Sequence, residues 1–384
     1  MSNYLDNAAT SFPKPETVYA AVDRYNREVG APGGRGAYQA AAESQRVLLQ
    51  CRMLVSNLFG IGSPSHVVIT FNCTDSLNMV LHGVLKPGDH VVSTQLEHNS
   101  VLRPLRQLRD FGIETTPVPA GTNHVVDVDQ VRSAMRSNTR LVVCLHASNV
   151  SGAIQPAEEI GQVAKEHGSL FLLDAAQTAG QYPVSMSQTK ADFIVAAGHK
   201  SLLGPLGTGV LCLRPGVEED LDSIRQGGTG SASEVAEQPS QVPDKYESGN
   251  LNMPGVFGLH AGLQHVTNVG VDEISRHKRR LLDQLHCGLG QIAGIRLYGG
   301  DVENRVCIQS LNITGFDPQD VATILDQSFG IQARAGLHCS PGAHEALGTL
   351  ESGGTLRLSP GALTTEQQID QAIDAIRQIA GNSV

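Results

Sequence analysis

From about Ser65 to Leu213 the chain alternates short apolar runs with longer stretches whose apolar positions recur at helical spacing. "HVVIT", "DHVVST", "IETTPVP", "TRLVVCLHAS", "SLFLLDAA" and "DFIVAAG" carry the aliphatic and β-branched residues of buried strands. Between them "DSLNMVLHGVL", "SVLRPLRQLRDFG", "DVDQVRSAMRS" and "AEEIGQVAKEHG" read as helices. Strands that are apolar throughout and take turns with helices predict an α/β fold with a mostly parallel sheet covered on both faces. In such sheets ligands gather at the carboxyl ends of the strands.

Beyond Leu213 the pattern breaks. A stretch rich in Gly, Ser, Pro and charge runs from Arg214 to Gly255, longer than an idle connection and therefore expected to be functional. A helical segment follows from about Pro254 to Ile292. "IRLYG", "RVCIQSLNITG", the helix-like "DPQDVATILDQSFG", "IQARAG", "TLRLSPG" and a terminal helix from Thr365 then suggest a smaller α+β unit. With 384 residues the chain exceeds what one core usually serves. The expected division is an N-terminal segment 1–14 packing with the small domain, a large domain 15–255 and a small C-terminal domain 256–384.

Charge and cysteine usage remove several function classes. The 28 basic and 38 acidic residues give a net charge of -10, which argues against a nucleic-acid surface. The densest basic run, "RHKRR" at Arg276 to Arg280, reads as the solvated face of a helix. No signal-peptide pattern and no apolar run of about 20 residues occur, so a cytoplasmic, non-membrane protein is expected. Seven cysteines at scattered spacings, without paired CxxC sets, speak against a disulfide framework or a metal site.

Several polar groups fall at strand ends. Asp174 ends "SLFLLD", Asn149 follows "LVVCLHAS", His98 follows "HVVSTQLE" and Lys200 follows "DFIVAAGH". Singly, Asp174 reads as a turn or cap residue, Asn149 as part of a turn, and His98 as an ordinary satisfied histidine. Together they offer a Schiff-base lysine and a carboxylate able to pair with a pyridinium nitrogen, the two protein groups that pyridoxal phosphate requires. "NCTDSLN" adds Cys73, Thr74 and Asp75 at a strand-to-helix turn, where backbone N–H groups can bind a phosphate, although a plain N-cap is the simpler reading.

"DAAQTAG" followed by "AAGHKSLLGPLGTG" resembles the class V aminotransferase family of fold-type I pyridoxal-phosphate enzymes, and in particular its cysteine desulfurases and selenocysteine lyases. The resemblance runs nearly end to end, through "YLDNAATSFPKP", "GGRGAYQAA", "EHNSVLRPL", "SNVSGAIQP", "GGTGSASE", "YESGNLNMPG", "RAGLHCSPGAHEALGT" and "TLRLSPG". It implies a seven-stranded, mostly parallel sheet and a homodimer with sites near the subunit interface. By the same resemblance Lys200 would bind the cofactor covalently, Asp174 would hold the pyridinium nitrogen protonated and Gln177 would reach the ring oxygen. His98 would stack on the ring and help shuttle protons. Cys73, Thr74 and His199 would hold the phosphate, Asn149 would lie near the ring oxygen and the substrate carboxylate, and Arg357 and Arg35 would bind the substrate. A strand-edge ion pair is the plainer reading of Arg357. The glycines at 204, 207 and 209 are expected to let the backbone turn sharply beside Lys200. Burial next to a cationic ring would lower the lysine's pKa.

The reaction is expected to turn on Cys339. Cys51, Cys144, Cys212, Cys287 and Cys307 lie in apolar or helical runs and read as small buried hydrophobes. Cys339 instead stands in a Gly/Pro loop with Arg334 and His338 nearby, where a thiolate is favoured, and the family carries its nucleophile there. The implied activity converts L-cysteine to L-alanine and leaves a persulfide on Cys339 for a sulfur-acceptor protein, which would suit a mobile loop. Selenocysteine lyase, a related β-lyase or aminotransferase, and a non-catalytic scaffold are the alternatives. Ala197 replaces a family Ser or Thr that donates to the phosphate. Asn250 replaces a threonine that reaches the neighbouring subunit's phosphate, and "SPGALTT" lacks the Asn-Thr that often follows the family arginine.

Overall fold

Burial on both faces accounts for the apolar runs. The structure, a computed structural model, describes residues 3–34, 36–231 and 234–381. A short β1 (Asn3–Tyr4) is followed by β2 (Val67–Thr70), β3 (His90–Thr94), β4 (Glu114–Val118), β5 (Thr139–Leu145), β6 (Leu170–Asp174), β7 (Phe193–Ala197) and β8 (Gly209–Leu213). The last seven form one sheet in the order β2-β8-β7-β6-β5-β3-β4. β8 runs antiparallel to both neighbours, and every other pair is parallel. Around this sheet lie α1 (Glu16–Arg24), α2 (Gln39–Phe59), α3 (Cys73–Val84), α4 (Asn99–Leu108), α5 (Val128–Ala134), α6 (Ala157–Glu166), α7 (Met186–Thr189) and α8 (Met253–Val269).

Alternation along each strand sorts the side chains between two cores. In β7, Ile194 and Ala196 pack with residues of α2, α6 and α8, whereas Phe193, Val195 and Ala197 pack with residues of α3 and α4. Each fully buried aliphatic side chain contributes about 1.5–3 kcal/mol, so both faces resist a change of register.

A second sheet follows. Its elements are α9 (Val271–Gly290), β9 (Ile295–Tyr298), β10 (Gln309–Ile313), α10 (Pro318–Phe329), β11 (Ile331–Gln332), β12 (Arg334–Gly336), α11 (Pro341–Leu347), β13 (Thr355–Leu358) and α12 (Glu366–Gly381). The order β12-β13-β10-β9 is antiparallel, and α9 and α12 share its apolar core. The N-terminus joins this part: β1 pairs in parallel with β11, Leu5 enters the same core, and Asp6 bridges to Ser359.

Three expectations change. The helical segment from Pro254 to Ile292 is two helices, broken at Gly270, whose φ of +87° suits glycine and interrupts the helix. Along α9 the buried stripe is Ile274, Lys278, Leu281, Leu282, Leu285 and Leu289, so the basic run is not wholly solvated: Lys278 is inside. Cys287 lies off that stripe and is exposed, unlike Cys51, Cys144, Cys212 and Cys307, which are buried. The long connection after β8 is tied down near its end, where the Tyr246 hydroxyl donates to Leu221 O at 2.9 Å and Glu247 pairs with Arg52. Among the described residues no helix is long and apolar enough to cross a membrane.

Candidate active site

The carboxyl ends of the parallel strands lie along one edge of the sheet, and the residues just beyond them line a cavity of about 210 Å³. β2 leads to Cys73 and Thr74, β3 to His98, β5 to Asn149, β6 ends in Asp174, and β7 leads to His199 and Lys200. Gln177, Arg334, His338 and Arg357 complete the lining used below. The turn beside Lys200 is sharp at Leu203 and Gly207, whose φ values are +63° and +76°. Gly204 and Gly209 serve close approach instead, since a Cβ would meet Leu259 Cδ1 at 2.8 Å or the Asn72 backbone at 2.6 Å. The latter contact seats the start of α3 against β8.

Lys200 Nζ has no hydrogen-bond or ion-pair partner among the described residues. Burial, reinforced by the nearby Arg357 and Arg334, pushes its pKa down, while Cys73 and Asp174 pull it back up. Asp174 is 6% exposed, and its Oδ1 accepts from Ala176 N at 2.8 Å and from Cys73 Sγ at 3.5 Å. His98 caps α4, and its Nδ1 accepts from Ser100 N at 3.1 Å, which leaves the ring proton on Nε2. Burial and the Lys200 charge lower its pKa to about 4, so His98 is neutral. Ser100 Oγ stands 2.8 Å from His98 Nδ1 and 2.7 Å from Thr74 Oγ1. With Nδ1 unprotonated, the Ser100 hydroxyl donates to it and Thr74 Oγ1 donates to Ser100 Oγ.

One end of the cavity is built around Arg357, which is 1% exposed. Its Nη2 pairs with Asp6 Oδ1 at 2.7 Å and its Nη1 donates to Asn149 O at 2.9 Å, while Nε is buried without a partner. Asn149 also grips the cysteine loop on both sides of Cys339: its Nδ2 donates to His338 O at 2.6 Å, and Ser340 Oγ donates to its Oδ1 at 2.7 Å. A further bond runs from Asn99 N to Cys339 O at 2.7 Å. Cys339 is half-buried and is not among the residues lining the cavity, but Arg334 reaches its Sγ at 3.7 Å. The expected help from His338 is absent. Its Nε2 engages Thr355, and burial together with Arg357 lowers its pKa to about 2, so it brings no positive charge to the thiol.

The residues present fit a phosphorylated pyridine aldehyde. At the start of α3, Asn72 Oδ1 accepts from Asp75 N at 2.9 Å, leaving the Cys73 and Thr74 N–H groups, which have no helical acceptor, for an anion. His199 Nδ1 is buried without a partner beside them. Ala197 contributes only a methyl group to the lining. Gln177 spends one N–H on Ala8 O at 3.0 Å. Asn250 is exposed and lines a separate depression with Gly207 and Arg225, and Arg35 lies outside the described residues.

Sequence reasoning assigned no role to Asp6, Glu97 or Ser100. Asp6 and Glu97 stand inside quoted motifs, "YLDNAATSFPKP" and "EHNSVLRPL", which was the available signal. Glu97 is fully buried: its Oε1 accepts from Thr94 Oγ1 at 2.7 Å and Leu145 N at 3.0 Å, and Oε2 has no partner. Burial, opposed by those two bonds and aided by the charge of Asp174, pushes its pKa up to about 8.

Fold and cavity together define an α/β protein whose strand-end cavity fits a pyridine cofactor. The chain belongs to the class-V aminotransferase family: the family description "Aminotransferase class-V" matches residues 3–372. A protein of Methanothermobacter thermautotrophicus named "Probable cysteine desulfurase" is 37% identical over 98% of this chain and 94% of its own length. The apo cysteine desulfurase of Thermococcus onnurineus NA1 superposes with a TM-score of 0.92 at 28% identity, covering 99% of this chain and 95% of that one. The Escherichia coli cysteine desulfurase CsdA, in its S-sulfonic acid form, gives 0.89 at 26% identity and covers 100% and 96%.

Proposed function

We propose that the protein is a pyridoxal-phosphate-dependent cysteine desulfurase that converts L-cysteine to L-alanine and leaves the sulfur on Cys339 as a persulfide. The observation that carries this reading is the half-buried Cys339 thiol held beside the cavity, with Sγ 3.7 Å from the cavity-lining Arg334 and both flanking residues fastened by Asn149, whereas the Cys73 thiol is buried against Asp174. Relatives named cysteine desulfurase over nearly the whole chain support the choice of substrate.

When bound, pyridoxal phosphate supplies an electrophilic carbon for the substrate amine and a ring that takes up electrons from a bond broken at Cα. In our reading Asp174 holds the ring nitrogen protonated and Gln177 meets the ring oxygen. The start of α3, Thr74 and His199 hold the phosphate. Lys200 anchors the cofactor, and its Nζ, favoured as the free amine by burial, removes the Cα proton. His98 presents its Nε2–H to the cavity as a neutral donor. Arg357 and Asn149 bind the substrate carboxylate. Cys339 Sγ forms an S–S bond to the substrate sulfur as the substrate C–S bond breaks. The thiol hydrogen is accounted for in the methyl group of alanine, so L-cysteine and one enzyme thiol give alanine and one persulfide.

The finer points rest on the family resemblance. They are a homodimer in which the exposed Asn250 serves the neighbouring subunit, Arg35 at the substrate and a sulfur-acceptor protein; a cytoplasmic location and domains divided as 1–14, 15–255 and 256–384 are proposed from the sequence pattern. The test incubates cofactor-loaded protein with L-cysteine and a reductant and measures alanine, pyruvate and sulfide, with Cys339→Ala alongside. Equal alanine and sulfide, lost in the variant while cofactor absorbance is kept, is the expected result. Pyruvate in place of alanine, or full activity without Cys339, would overturn it in favour of a β-lyase.

A further inference from the structure

The basic run of α9 has no part in the site above. It borders a second cavity of about 410 Å³ that Ile154, Gln181 and Tyr182 also line. Arg276, Lys278, Arg279, Arg280 and Arg305 line this cavity against one acid, Glu303, in a chain whose net charge is -10. Part of that charge is spent locally: Arg276 pairs with Glu273 at 2.6 Å and Arg279 with Asp283 at 3.3 Å. Among the described residues no ion pair engages Lys278, Arg280 or Arg305.

Two of these three cations are also deeply buried. Lys278 and Arg305 are each 5% exposed. Lys278 Nζ has no hydrogen-bond partner among the described residues. Arg305 donates from Nη2 to the carbonyl of Ile308 and to Gln309 Oε1 at 3.4 Å and from Nη1 to Gly300 O at 3.5 Å, yet its Nε is buried with no partner. Burying an unpaired cation costs several kcal/mol, and nothing in the packing of α9 requires a lysine on its apolar stripe. Consistent with that cost, burial lowers the pKa of Lys278 and brings Arg305 down to about 10.

We propose that this cavity is a binding site for a small molecule bearing a phosphate or sulfate group, separate from the cofactor site. A guanidinium fork and a neighbouring ammonium match a tetrahedral oxyanion. The cavity exceeds the room such a group needs and falls in the size range of small-ligand pockets, and Ile154 and Tyr182 give an apolar wall for the rest of the molecule.

The experiment uses the cofactor-loaded enzyme and follows its urea midpoint and cofactor absorbance. Phosphate, sulfate and a phosphate monoester are titrated at constant ionic strength against chloride. A saturable stabilisation by at least one of these anions, with cofactor absorbance unchanged, is expected. A stronger effect of the monoester than of inorganic phosphate would identify an organic ligand, and equal effects a free oxyanion. Lys278→Met should weaken binding by about tenfold or more, the loss expected for one charge-assisted contact. It should also be at least as stable as wild type in chloride, because the unpaired charge is gone. Arg280 is exposed, so Arg280→Ala keeps the test open if the first variant folds poorly, and it too should weaken binding. No saturable effect beyond chloride, or equal affinity in both variants, would overturn the proposal.

Discussion

Replacing Glu97 by Gln tests whether a neutral acid sits beneath the cofactor pocket. The folded-state pKa is raised from 4.5 to about 8, so the stability associated with this proton is fully present below pH 4.5 and is lost as pH rises through 8. A shift of that size corresponds to about 5 kcal/mol in total, of which about 3.5 kcal/mol falls between pH 5 and pH 8. Gln keeps the shape and the acceptor for Thr94 Oγ1 and Leu145 N but cannot titrate. Its amide meets the same unpartnered spot as Oε2, so the two proteins should differ by about 1 kcal/mol or less near pH 4.5, and by pH 6 the variant should lead by about 2 kcal/mol. Urea midpoints of both proteins from pH 5 to pH 8 provide the assay, with the infrared band of a protonated carboxylic acid as a second readout. Wild type should lose stability relative to Glu97→Gln across that range, and the band should vanish in the variant. Parallel pH profiles and no such band would mean that Glu97 is ionised, and the argument from burial would fail. Asp174 is the one carboxylate lining the cavity, and a neutral Glu97 adds no second negative charge beside it.

Two further substitutions probe the substrate end. Asp6→Asn strips Arg357 of its carboxylate partner while the guanidinium stays buried, and a loss of about 3–5 kcal/mol in a urea titration is expected. A loss under about 1 kcal/mol would show that the Asn149 carbonyl suffices. Asn149→Ala removes both side-chain bonds to the cysteine loop, each worth about 1 kcal/mol, so alkylation of Cys339 and amide exchange at Ser340 should quicken together. Unchanged rates would place the control of the loop elsewhere.

The sheet was legible because its strands, the exposed edge strand β4 apart, are buried on both faces and largely apolar, and because a parallel sheet leaves its polar groups at one edge. That logic reaches Asp174, Lys200 and Asn149 without any contact being known. It fails where the partner is remote. Asp6 and Arg357 are 351 residues apart, and no local pattern shows that β1 pairs with β11 and so delivers an acid to a buried arginine. It fails too where residue type misleads. A lysine within "RHKRR" looks solvated, yet Lys278 falls on the same helical face as Leu281, Leu282 and Leu285. His338 looked like a partner for the thiol, and only the backbone turn that sends its ring to Thr355 shows otherwise.

The turn at Cys339 carries a consequence for sulfur transfer. His338 and Cys339 both adopt left-handed backbone conformations, with φ values of +48° and +61°. Such conformations cost an L-residue about 1–2 kcal/mol each. Opposing this are the two bonds from Asn149 and the bond from Asn99 N to Cys339 O, about 1 kcal/mol apiece. The two sums are of similar size, so the loop is held in place but not held deeply. The same Asn149 offers its carbonyl to Arg357, so the residue that steadies the loop also touches the group assigned to the substrate carboxylate. A substrate that draws Arg357 or Asn149 toward itself therefore acts on the restraint over Cys339. In the proposed reading, a substrate carboxylate on Arg357 and Asn149 would act on the same bonds that hold Cys339.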